Sequence, residues 1–176
     1  MTSPPVRLAV ALGALALLTT LGTVAVASSG SAGPAPSVGT YRLPLGSAAD
    51  VARGFEPPPE PWAAGHRGVD LRAPLGAEVV SPVAGVVTYS GAVGGRRVVT
   101  VTDAAGRRSS VEPLTPSVRV GDLVAPGDRL GSLESGGSHC APIACLHWGV
   151  RVGTEYVDPL GLLPGAGPVV LLPLDR

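Results

Sequence analysis

Beyond residue 40 the apolar positions of this chain fall into short runs with partial period-two alternation. None forms a helical stripe of useful length. The Val-rich runs are 77–90, 97–103, 118–124, 129–133 and 146–152, separated by Gly and Pro. Gly94-Gly95 and Ala105-Gly106 are hairpin-type turn signals. This pattern predicts a mostly antiparallel all-β domain over residues 41–163, either a sandwich or an open barrel. Residues 164–176 form an apolar tail ending in charge, readable as a last edge strand or as a loose end.

The first 40 residues follow a different pattern. Arg7 precedes an apolar run from Leu8 to Leu21, and Ala25-Val26-Ala27 has the small-x-small form of a cleavage site. Residues 1–27 therefore read as a signal peptide. The alternative is an uncleaved anchor, since the stretch is about long enough to span a bilayer. Either way the domain is expected outside the cytoplasm, secreted or in the cell envelope, with membrane contact only if the segment stays uncleaved. Residues 28–40 are small, polar or Pro/Gly and read as a flexible linker.

Composition narrows the function classes. Thirteen basic and thirteen acidic residues balance, and loss of Arg7 with the leader leaves 12 − 13 = −1. Such a balance gives no support for a nucleic-acid partner. Every basic residue is Arg. The phrasing Ser81-Pro82-Val83-Ala84-Gly85 and Val124-Ala125-Pro126-Gly127 is common in half-barrel carriers of biotin or lipoate. Those attach their cofactor through lysine, and the chain contains none.

Candidate chemistry rests on three histidines, His66, His139 and His147. Gly65-His66-Arg67-Gly68-Val69-Asp70 sets an imidazole and a carboxylate four apart, and His147 opens a late strand. Two imidazoles and one carboxylate with an open position form the ligand set of a catalytic zinc site. The competing reading is a local turn closed by His66 and Asp70, with His147 packed on a sheet face.

The context of these residues resembles the lysostaphin/LytM-type zinc metallopeptidases, which are peptidoglycan endopeptidases. His66-x-Gly68-x-Asp70 followed by Val80-Ser-Pro-Val-Ala-Gly85-Val-Val is similar to the first half of that domain. Val120-Gly121-Asp122-Leu-Val-Ala-Pro-Gly127, Leu146-His147-Trp148 and Val157-Asp158-Pro159 are similar to the second. The likeness runs in unbroken order over about residues 55–163. It implies an antiparallel β-sandwich or open barrel of the duplicated hybrid-motif type, with a groove floored by one sheet. It also implies Zn2+ held by His66, Asp70 and His147. Two family histidines that act on the attacking water do not carry across, because Pro113 and Cys145 stand at their positions. General-base and oxyanion groups of this kind contribute on the order of two to four decades in rate each.

Several residues are candidates to fill that gap. His139, in the loop before Cys145, is a candidate catalytic group, and Glu134 is a weaker one. Glu112 is expected to point away from the site, by alternation from Pro113. Cys140 and Cys145 are expected to pair in a disulfide, as exported cysteines do. The alternative makes Cys145 a fourth zinc ligand that closes the site, since it shares a strand face with His147. Trp148 is expected in the core. Trp62, in a Pro-rich run, is expected exposed near the His66 end, either beside a substrate groove or packed on its prolines. The expected activity is cleavage of cell-wall peptide cross-bridges. The alternative is an inactive zinc-containing module that binds peptidoglycan stem peptides or regulates another wall hydrolase.

Overall fold

The computed structural model describes residues 40–46, 50–137, 140 and 142–166. The expected signal peptide, the linker to residue 39, His139 and residues 167–176 of the tail lie outside those residues. Eleven strands are described: β1 (Asp50–Arg53), β2 (Val69–Arg72), β3 (Glu78–Val80), β4 (Gly85–Val93), β5 (Arg96–Thr102) and β6 (Arg108–Glu112) come first. β7 (Leu114–Pro116), β8 (Leu123–Val124), β9 (Arg129–Leu133), β10 (Cys145–Val152) and β11 (Glu155–Val157) follow, with a 3₁₀ turn at Pro159–Leu162. They build an antiparallel sheet in the order β1-β2-β10-β6-β5-β4-β8, with β11 paired to β10. A smaller sheet runs β3-β9-β7. Among the described residues no helix is long and apolar enough to cross a membrane.

Local sequence explains most of the connections. Gly94 and Gly95 both take positive φ, 56° and 82°, between the paired Val93 and Arg96. That is the two-residue hairpin geometry only glycine adopts easily at both positions. At the β5–β6 turn, Asp103 Oδ1 accepts from the amides of Ala105 and Arg107. The run 77–90 is not one strand. Its first part, β3, belongs to the small sheet and its second, β4, to the large one, with buried Ser81 and Val83 at the crossing. Of the expected strand 118–124 only Leu123–Val124 pairs, and Val120 before it faces solvent.

Period-two alternation gives the large sheet two distinct faces. Val69, Leu71, Val99, Val101, Val111, Leu146, Trp148 and Val150 point inward and join Leu114, Leu130 and Val79 of the small sheet in one core. The intervening residues of β10, β6 and β5 point the other way and floor a groove. Trp148 is fully buried as expected, stacked on Tyr41 with ring centroids 6.4 Å apart.

Tyr41 donates to Asp103 Oδ2 at 3.3 Å, and burial together with that carboxylate pushes its pKa up to about 12. An unfolded tyrosine titrates near 10, so the folded state favours the protonated phenol. The associated stability is complete below about pH 10 and is lost as pH rises towards about 12. Urea midpoints measured across this window are expected to decline in the wild type and to decline less in Tyr41→Phe. An equal decline in both would assign the effect to another group.

Candidate metal centre

The centre is assembled from three separate pieces of backbone. Asp70 lies in β2, directly across from His147 in β10, so two central strands hold the carboxylate and one imidazole in register. His66 precedes β2. Its backbone exchanges hydrogen bonds with Glu56 at 3.0 and 2.8 Å, which pins the loop. The donors converge: His66 Nε2 is 3.1 Å from Asp70 Oδ1, His147 Nδ1 is 2.9 Å from the same oxygen, and the two nitrogens are 3.2 Å apart. His66 and Asp70 are almost wholly buried, and the His147 side chain is 15% exposed towards the groove.

These spacings fit a zinc ion. Four ligands at 2.0–2.1 Å in a tetrahedron stand about 3.3 Å from one another, and the observed triangle is close to that edge. A second contact supports the fit. His66 Nδ1 lies 2.6 Å from the Gly54 carbonyl oxygen. Donation there fixes the tautomer and turns the Nε2 lone pair to the cluster, the usual outer support of a metal-ligating imidazole. The His147 ring lies over two glycines, and a Cβ on Gly68 would stand 2.8 Å from its Cε1 and Nε2. The glycine between His66 and Asp70 therefore makes room for the third donor.

Cys140 and Cys145 lie with their sulfurs at disulfide distance and their Cα atoms 5.9 Å apart. Both sulfurs fall within 4.8 Å of the Asp70 carboxylate. The cysteine pair thus packs beside the centre.

Glu112 corrects an expectation. It is the direct cross-strand partner of His147 and lines the groove. Alternation from Pro113 gave the wrong face because β6 ends at Glu112. Pro113 is buried at the passage into β7 of the other sheet, so it does not continue the pleat. Glu112 accepts from Arg96 Nε at 3.2 Å. Glu134 is not among the groove-lining residues. It is bound by Arg97 and Thr115, and the Arg97 guanidinium beside it holds its carboxyl below the usual range. Trp62 is 84% exposed, which leaves little packing on its prolines, and Arg67 ties the carbonyls on either side of it.

The groove beside the centre has a volume of about 820 Å³ and a floor of Thr88, Thr100, Thr102 and Ser110. A model of peptidase family M23 matches residues 64–159, more than half of the chain and the whole span from the His66 loop to Pro159. The chain belongs to peptidase family M23. Its M23 domain is accordingly similar to lysostaphin of Staphylococcus simulans, with TM-score 0.61 and 24% identity over 77% of this chain and 58% of that one. A candidate M23 peptidase from Pseudomonas aeruginosa gives TM-score 0.61 and 27% identity over 76% of this chain and 54% of its own. An uncharacterized protein of Mycobacterium tuberculosis is 40% identical over 136 residues, 75% of this chain and 54% of its own. The chain spans about half the length of that relative.

The Arg96, Arg108 and Arg151 side chains in the groove had not been singled out from the sequence. Arg108-Ser-Ser-Val-Glu112 alternates in burial but holds one apolar residue in five, so it carried no strand signal.

Proposed function

We propose that this chain is an exported zinc metallopeptidase-type domain whose groove takes the peptide part of bacterial peptidoglycan. His66, Asp70 and His147 would hold the metal. The convergence of these three donors at a groove floored by hydroxyl side chains carries the reading. Zinc in such a site supplies Lewis acidity towards a carbonyl and lowers the pKa of water. The chain's own part is positional. The Gly54 carbonyl orients His66, the β2–β10 register orients Asp70 and His147, and the hydroxyl floor offers partners to an extended peptide. A disulfide between Cys140 and Cys145 would keep both sulfurs off the metal, so neither closes the site as a fourth ligand.

Glu112 is the described carboxylate placed to accept a proton opposite His147, and this favours hydrolysis. Its ion pair with Arg96, together with the burial of Pro113 at the position where the family resemblance implies a histidine, favours the second reading. In that reading the domain binds stem peptides or docks on another wall hydrolase without cutting.

The test is release of new amino termini from purified peptidoglycan by the full chain with zinc. If the domain is a peptidase, His147→Ala abolishes release and Glu112→Gln lowers it by about 10²–10⁴-fold. Cleavage only after Pro113→His with Cys145→His would establish the binding reading. Failure to take up one equivalent of zinc would overturn both.

A further inference from the structure

The far end of the groove carries a second cluster. Along the groove face β10 presents His147, Gly149 and Arg151, and β6 presents Glu112, Ser110 and Arg108 in direct register. Arg151 and Arg108 are therefore cross-strand partners, four residues and about 13 Å from the His147–Glu112 pair. Two like charges directly opposite on one sheet face are unfavourable unless something neutralises them. Among the described residues no carboxylate lies within ion-pair distance of either. Arg108 Nη2 donates to the Gly153 carbonyl at 2.7 Å, and the Arg151 guanidinium lies over the Tyr156 ring at 5.9 Å. Each contact orients a guanidinium and leaves further N–H donors on it.

The rest of the groove lining points the same way. Among the described residues it holds four arginines and one carboxylate, Glu112, which Arg96 already engages. A positive groove in a chain of zero net charge is a local arrangement and not a by-product of composition.

We propose that Arg108 and Arg151 form a carboxylate subsite. They hold the acidic side chain or terminal carboxylate of an extended peptide whose backbone runs along the hydroxyl floor to the metal end. An extended chain advances about 3.3–3.6 Å per residue. The acidic position therefore lies about four residues from the residue at the metal centre. The paired fork of guanidinium donors matches a carboxylate bidentately. The inference rests on the reading of the groove as a peptide site and adds what that peptide must carry.

The probes are Ala-based hexapeptides, each bearing one Asp at a stepped position, and their Asn counterparts. Binding to the full chain is measured by calorimetry with and without zinc. Wild type is expected to prefer the Asp peptide at the best position by about tenfold or more, the scale of a charge-assisted hydrogen bond. Arg108→Gln with Arg151→Gln is expected to erase that preference, with zinc content unchanged and the thermal midpoint unchanged or raised. Equal binding of Asp and Asn peptides, or a preference that survives in the double variant, would overturn the proposal. Inorganic phosphate displacing the Asp peptide at concentrations where acetate does not would also overturn it, by making the site one for phosphorylated ligands. If the wild type takes up no zinc and still prefers the Asp peptide, the metal reading fails and the subsite stands.

Discussion

Gly68→Ala is expected to weaken zinc binding by at least about hundredfold and to destabilise the domain by about 3 kcal/mol. The new Cβ would overlap the Trp148 carbonyl oxygen and stand 2.8 Å from the His147 ring. The carbonyl belongs to β10 beside the Trp148–Val69 pair and cannot withdraw without opening the β2–β10 ladder. The imidazole is the softer neighbour, so the overlap turns it out of the donor triangle. Metal content after dialysis and a urea titration read the two effects. Gly161→Ala is the control, since a Cβ there meets open space. A Gly68→Ala protein that keeps a full equivalent of zinc would show that the His147 ring is not constrained as described.

Trp148→Ala is expected to lower stability by about 3–5 kcal/mol, the range for deleting a large buried aromatic. That is a large share of the ~5–15 kcal/mol that holds an ordinary domain together. Trp148 is fully buried, stacks on Tyr41, and donates from Nε1 to Ser109 Oγ at 2.8 Å. Truncation leaves both a cavity and a buried Ser109 hydroxyl without that donor. Trp148→Phe keeps most of the volume and should cost about 1–2 kcal/mol. Zinc separates this variant from Gly68→Ala. The donors of Trp148→Ala are intact, so saturating zinc raises its unfolding midpoint by mass action. At the same zinc concentration the midpoint of Gly68→Ala should rise far less, because its affinity is weakened. A Trp148→Ala protein that ignores zinc would mean the core and the centre are one cooperative unit.

The legible and illegible parts of the chain divide along sequence distance. β9 and β10 were visible because a half-buried strand writes its alternation into consecutive residues, and the Gly94-Gly95 hairpin because its backbone demands glycine. β2, with four residues, and β6, with four polar residues of five, carried too little apolar signal. The run 77–90 misled because nothing local marks where a chain leaves one sheet for another. Glu112 was assigned the wrong face for the same reason. Alternation was carried through Pro113, where the strand had already ended.

The sequence by itself determined the fold class, the family likeness and the identity of His66, Asp70 and His147 as candidate donors. These depend on residue type and short spacing, which a linear string preserves. Only the tertiary structure decided that the three donors meet within 3.2 Å, that the cysteine sulfurs lie beside them, and that Glu112, Arg108 and Arg151 share their groove. Those facts are set by strand register between segments 35 to 80 residues apart. A shift of one residue in the β6–β10 pairing would send Glu112 and Arg108 to the face opposite His147 and Arg151.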